Sequence, residues 1–331
     1  MRVFFGGIGM KRQALFGSGI LLLASVIWGF AFASQSAASA FLAPFSVNAL
    51  RFYIGGFTLI PMIFLLDRLR KSDRVFLSRR NRFFVDLTKT ELLGGTVCGI
   101  ALCAATVLQQ YGLSSSETGA GNAAFITALY VVIVPIFARI MGQKQSIRLY
   151  IAALIAVLGF YLLTAGVSYS GGFFAFFTAI FHSSFSPAAS DIYVLICAFI
   201  FSFHILFVDR ISQRVDGVRV SVVQLFVAAV IATPFMLFEG LSPSSVAGAL
   251  PHLLYLGCLS CGFAYTAQIV GQRYTKPATG AMILSLEAVF GALGGLLFLG
   301  ESMTAHETVG ALLVFFGVIL SQIGGARAEQ T

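Results

Sequence analysis

The chain has 331 residues, of which 58% are hydrophobic and only 10% charged, and its mean hydropathy is +0.92. A soluble globular chain carries roughly 25% charged residues, so this one has too little charge to coat a water-facing surface, and lipid is its solvent. The net charge of +8 is no nucleic-acid footprint, because no basic helix interleaved with polar surface is present to receive a phosphate backbone.

A helix needs about 20 mostly apolar residues to cross the hydrocarbon core. Ten such segments follow in chain order, at about 14–36, 43–66, 92–112, 119–141, 149–168, 190–208, 220–239, 249–271, 277–299 and 305–324. The first ends in Ser36-Ala37-Ala38-Ser39-Ala40, which looks like a signal-peptide cleavage site. A counterpart later in the chain argues instead for a transmembrane span. The loops test the count, since cytoplasmic loops collect Lys and Arg. With the N-terminus inside, all of the 21 Lys and Arg except Arg51 fall on inner segments, the densest run lying between Arg68 and Lys89. A miscounted helix would scramble this alternation, so both termini are expected in the cytoplasm. The five cysteines sit in apolar runs and read as small buried hydrophobes. Cys258-x-x-Cys261 lacks the further ligands a metal site requires.

The chain repeats itself. A constant offset of 158 residues lays 99–166 on 257–324, matching Gly99 with Gly257, Gln110 with Gln268, Gly142 with Gly300, Leu154 with Leu312, Gly159 with Gly317 and Gly166 with Gly324. An offset of 173 aligns the earlier spans, with Trp28 on Phe201, Arg51 on Gln224 and Pro61 on Pro234. Five spans is an odd number, so the second repeat is inverted relative to the first. The expected fold is all-α: one membrane domain of ten helices, with repeats at 14–168 and 190–325 joined by an external Phe-rich link at 169–189. In such transporters the binding site lies near the bilayer midplane, between the repeats.

Several stretches resemble the EamA-type drug/metabolite transporters. They are Trp28-Gly29-Phe30-Ala31-Phe32, Arg51-Phe52, Gln109-Gln110-Tyr111-Gly112-Leu113 and Asn122-Ala123-Ala124-Phe125-Ile126-Thr127 in the first half. In the second half they are Ser285-Leu286-Glu287-Ala288-Val289-Phe290, Gly300-Glu301, Gly310-Ala311-Leu312 and Gly317. The resemblance covers nearly all of 15–325 and implies a ten-helix bundle around a central cavity, in a family whose members move amino acids, metabolites or drugs. The chain departs from the pattern at Ala288, where the family commonly places Pro after the Glu.

Ionisable groups inside a membrane are costly and therefore candidates for function. Glu287 lies roughly 15 Å into its span at 1.5 Å per residue, near the midplane of a ~30 Å core. It either loads a proton, contacts substrate, or serves as an interhelical hydrogen bond. Arg51, the one cation within a span, is a fork for a substrate carboxylate, or else it satisfies helix-end carbonyls or pairs with Glu287. Thr106 and Gln110 share a helix face, as do Cys261, Tyr265 and Gln268. Gln35, Asn48, Gln109, Asn122, Tyr130, His204 and Gln224 are further candidates for a wet cavity, or for hydrogen bonds between helices. Trp28 and Phe30 line the cavity or simply pack. Thr304-x-x-Glu307 has the spacing of a capping box, Glu301 closes a turn, and the Phe173–Phe177 cluster with Phe181 and Phe185 is an interfacial segment too short to span.

No Gly-Lys-Ser/Thr phosphate loop, His-Glu-x-x-His pair or Gly-x-Ser-x-Gly elbow occurs. The expectation is a secondary transporter and not an enzyme: an exporter of a small metabolite, amino acid or drug across the plasma membrane, proton-coupled through Glu287. Its partners would be a small-molecule substrate, protons and the lipid bilayer, with no nucleic acid, cofactor or metal, as a monomer or homodimer. A lipid flippase or scramblase is the nearer alternative, a membrane-embedded enzyme the more remote one.

Overall fold

Backbone N–H and C=O groups find no water in lipid, so each crossing segment must close its hydrogen bonds within itself as a helix. The computed structural model describes residues 10–70, 87–115, 120–143, 145–164, 189–298, 300 and 305–325. Among them ten helices follow one another. The first repeat holds α1 Met10–Ser39, α2 Pro44–Arg70, α3 Lys89–Leu113, α4 in two pieces at Ala120–Ala128 and Tyr130–Ile140, and α5 Ile147–Thr164. The second holds α6 Ala189–Ser212, α7 Gly217–Glu239, α8 Pro243–Gln272, α9 in two pieces at Pro277–Leu284 and Glu287–Phe298, and α10 Ala305–Gly325. Eight are long and apolar enough to cross a membrane; α5 and α10 carry shorter apolar stretches and run along one another. Large apolar side chains such as Leu15, Leu93, Leu154, Phe238 and Leu312 point outward, which only a lipid surround tolerates on this scale.

Helix neighbours obey the repeat. Exchanging each helix for its counterpart five places on leaves α2–α7 and α5–α10 unchanged. The same exchange turns α3–α6 into α1–α8, α3–α7 into α2–α8, and α1–α9 into α4–α6. The matched glycines explain why. A Cβ on Gly99 would meet the Gln224 carbonyl at 2.7 Å, and one on Gly257 the carbonyl of Arg51 at 3.1 Å, so each glycine lets its helix touch the equivalent backbone of the other repeat. Gly159 and Gly317 do the same between α5 and α10. Gly142 and Gly300 occupy the left-handed region at φ 85° and 69°, which glycine enters without steric cost.

Carboxylates secure the two ends of the bundle. At the end bearing the basic loops, Thr88 and Glu91 form a capping box on α3, and Glu91 Oε1 also accepts from the backbone N–H of Asp216, just before α7. At the far end Glu239, closing α7, accepts from Phe45 N (3.0 Å), Ser46 N (2.7 Å) and Ser46 Oγ (2.7 Å) in the first turn of α2. Each satisfies orphan N–H groups of a helix start and ties the two repeats together. The Phe-rich link, Glu301, the Thr304 end of the proposed capping box and the Glu307 side chain lie outside the described residues.

Three departures from plain helix matter for the site. The fourth helix of each repeat breaks at the same level: α4 at Leu129, α9 at Ser285 and Leu286, where i→i+3 bonds replace the regular ladder. Ala288 in place of the family's Pro leaves a kink in the ninth span open on sequence, and the structure breaks α9 there without the proline. The third departure has no counterpart: Tyr255–Ala264 of α8 is a π-helix, a widened geometry frequent at functional sites.

Candidate functional site

The broken helices, the π-stretch and α1 converge on one central cavity of about 40 Å³. Sites that take drug-sized ligands measure about 300–1,000 Å³, so this conformation has room for a few waters, and the helices must part to admit a metabolite. Trp28, Gln35, Arg51, Tyr130, Tyr265, Gln268 and Glu287 all stand on its wall, together with Gln109, Thr127, Phe201 and Ser260. Trp28 and Phe201, paired by the repeat offset, therefore share this wall.

The aromatic side is held in place by the π-stretch. Trp28 Nε1 donates to the Ser260 carbonyl at 3.1 Å, and its ring lies 4.8 Å from that of Tyr265, centroid to centroid. The next residue, Gly29, lets α1 approach the second piece of α9, for a Cβ there would sit 2.2 Å from Phe290 Cβ.

Towards the far end the cavity meets a polar network. Arg51 is buried; its Nη1 donates to Gln35 Oε1 at 2.7 Å and its Nη2 to Asn48 Oδ1 at 2.6 Å, while Nε has no partner. Gln110 Nε2 donates to the Gln35 carbonyl (3.1 Å) and to Ser39 Oγ (2.8 Å), and Ser114 Oγ continues the chain to Ser39. No carboxylate among the described residues lies within ion-pair reach of Arg51. The suggested pairing with Glu287 is thus not made, and Arg51 spends its terminal nitrogens on Gln35 and Asn48 instead.

Glu287 is 4% exposed and opens the second piece of α9. The Tyr130 hydroxyl faces its carboxyl closely enough to interact, yet neither Tyr130 Oη nor Glu287 Oε1 has a partner in full hydrogen-bond geometry. Gln268 Oε1 is likewise buried without a hydrogen bond. Towards the basic end, His204 Nε2 lies 3.1 Å from Gln224 Oε1, and Gln272 Nε2 donates to the Ile205 carbonyl.

Two site expectations need correction. Gln110 was placed with Gln268 on the cavity, but α3 turns Gln110 toward the last turn of α1, and the preceding Gln109 faces inward, its Nε2 donating to Thr127 Oγ1 at 3.1 Å. Thr106 spends its hydroxyl on the Leu102 carbonyl of its own helix. The Asn122 side chain lies outside the described residues. Ser260 was missed because nothing in its neighbours announces a π-helix. Among the described residues no cluster of His, Cys, Asp or Glu can hold a metal, and all five cysteines are free.

A ten-helix inverted-repeat bundle with a small cavity of mixed polar and aromatic lining at its centre is the architecture of a membrane transporter. The EamA-like transporter family matches residues 15–165 and 188–322, and the chain belongs to that family. It is similar to an uncharacterized transporter of Archaeoglobus fulgidus, 28% identical over 316 residues, covering 95% of this chain and 88% of that one. The uncharacterized transporter YyaM of Bacillus subtilis is 30% identical over 94 residues, 28% of this chain and 30% of its own. A solved crystal structure superposes with a TM-score of 0.65 at 19% identity, covering 95% of this chain and 99% of that one, a likeness of fold.

Proposed function

We propose that this protein is a secondary transporter that exports a small metabolite, amino acid or drug across the plasma membrane, with its basic loops and both termini in the cytoplasm and the proton gradient as its energy source. The observation that carries the coupling is Glu287: a buried carboxyl on the cavity wall, at the break of α9, lacking a full set of hydrogen bonds. The orientation rests on the sequence, in which the span count assigns Lys and Arg to the loops of one side.

In this reading the outward-open cavity exposes Glu287 to the acidic side, where it takes a proton. The neutral carboxyl crosses the low-dielectric midplane at less cost than a carboxylate. Opening to the cytoplasm releases the proton, and solute binds for the return stroke. The Leu129 and Ser285–Leu286 breaks supply the hinges, since two half-helices pivot where a continuous ladder would resist.

Glu287→Gln tests this. The amide keeps the shape and mimics the protonated state. Gradient-driven accumulation in inside-out proteoliposomes should be abolished while exchange of labelled solute persists in part. A purely structural Glu287 predicts loss of both together, and unchanged accumulation would end the proposal.

A further inference from the structure

We infer that the solute presents a carboxylate to Arg51, and that this guanidinium is the anion subsite of the cavity. The inference rests on the transport reading above and goes further, to the chemistry of the cargo.

Arg51 is 3% exposed in the interior of a membrane domain. A guanidinium stays protonated under any physiological condition, so its charge is permanent. Its two hydrogen-bonded partners, Gln35 and Asn48, are both neutral amides. These orient the group but leave its charge without a counter-ion, and a buried charge without one is destabilising. Its counterpart in the other repeat, Gln224, is neutral and bonds His204, so the equivalent position of the repeat does without a cation. A charge kept at such expense on the wall of a transport cavity is offset when an anion arrives.

The geometry favours a single planar carboxylate. The Gln35 and Asn48 oxygens each take one hydrogen bond from a terminal nitrogen of the guanidinium, while Nε makes none. Release of Nη2 from Asn48 as the cavity widens frees the Nε–Nη2 edge, which matches a carboxylate in a two-bond fork. A phosphate would call for more than one cation, and among the described residues no Lys or second Arg lines this cavity. The aromatic pair Trp28 and Tyr265 on the wall suits an apolar body attached to that carboxylate.

Seating the carboxylate leaves Glu287 as the remaining charge. An amino acid meets it with its own ammonium, whereas a simple monocarboxylic acid leaves it to hold a proton. The two sources share the Arg51 subsite and differ in their response to Glu287→Gln, which weakens the first and spares the second.

The experiment pairs aliphatic and aromatic monocarboxylates and amino acids with the primary amide of each. Thermal stabilisation of the purified full chain and counterflow in proteoliposomes are read together. The carboxylates should stabilise the protein and exchange, their amides should not, and Arg51→Gln should weaken carboxylate binding by roughly tenfold or more. Arg51→Lys, which keeps the charge and loses the fork, should fall between, and it guards against a variant that fails to fold. If the wild-type protein moves amides as well as acids, or Arg51→Gln retains carboxylate binding, the subsite is overturned while transport stands. If no acid, amide or other small solute is exchanged, both fall.

Discussion

Replacing Gly29 with Ala should destabilise the bundle and impair transport, whereas the same change at Gly19, ten residues earlier on α1, should do neither. A Cβ at Gly29 would lie 2.2 Å from Phe290 Cβ, 2.7 Å from the Phe290 carbonyl carbon and 2.8 Å from the Glu287 carbonyl oxygen. Two of these three atoms are backbone, so relief requires α1 and the second piece of α9 to separate by more than an ångström. Overpacking of this kind costs about 1–3 kcal/mol, occasionally more, against at most about 1 kcal/mol gained from the better helix propensity of Ala. At Gly19 nothing lies within 4 Å, so only the small propensity gain remains. Thermal unfolding in detergent should thus show a lowered Tm for Gly29→Ala and an unchanged or slightly raised one for Gly19→Ala. Because the displaced piece of α9 carries Glu287, transport should fall further than stability alone explains. Equal behaviour of the two variants would refute the close approach of α1 and α9.

Other substitutions probe other joints. Glu239→Ala removes the acceptor of three hydrogen bonds from Phe45 and Ser46; the loss should be about 1–3 kcal/mol, measured by chemical or thermal unfolding, with Glu239→Gln recovering part of it. Trp28→Phe deletes the donor to the Ser260 carbonyl and should cost about 1 kcal/mol, with a larger effect on solute affinity in a binding titration. Gln109→Leu should weaken solute binding with little loss of stability, because Gln109 faces the cavity. Gln110→Leu should do the opposite, stranding Ser39 and the Gln35 carbonyl and lowering Tm while affinity is kept.

Much of the architecture can be read from residue types because lipid enforces simple rules. Apolar length marks the spans, and the Lys and Arg sort to one end. The repeat offset finds Gly99, Gly159, Gly257 and Gly317 at the very contacts where the repeats touch. What escaped was set by tertiary contact. Neighbouring glutamines on one helix differ by about 100° in direction, so periodicity placed Gln110 by its match to Gln268, whereas packing against α1 selects Gln109 for the cavity. The π-stretch of α8 lies in Tyr255–Ala264, where no residue pattern announces the wider winding, and no counterpart in α3 marks it. The Thr88–Glu91 capping box did have a signature at the expected spacing. The bond from the Asp216 N–H to Glu91 spans the two repeats, and no local pattern encodes it. Glu239 is of the same kind.

Alternating access to the central cavity is tested most directly at Phe201, which stands on its wall. Phe201→Cys, in a background where Cys98, Cys103, Cys197, Cys258 and Cys261 are replaced, would be exposed to a membrane-impermeant thiol reagent on either side of sealed vesicles. Alternating access predicts slow labelling from both sides, with solute changing the two rates in opposite directions. Labelling from one side only, whatever the solute, would contradict it.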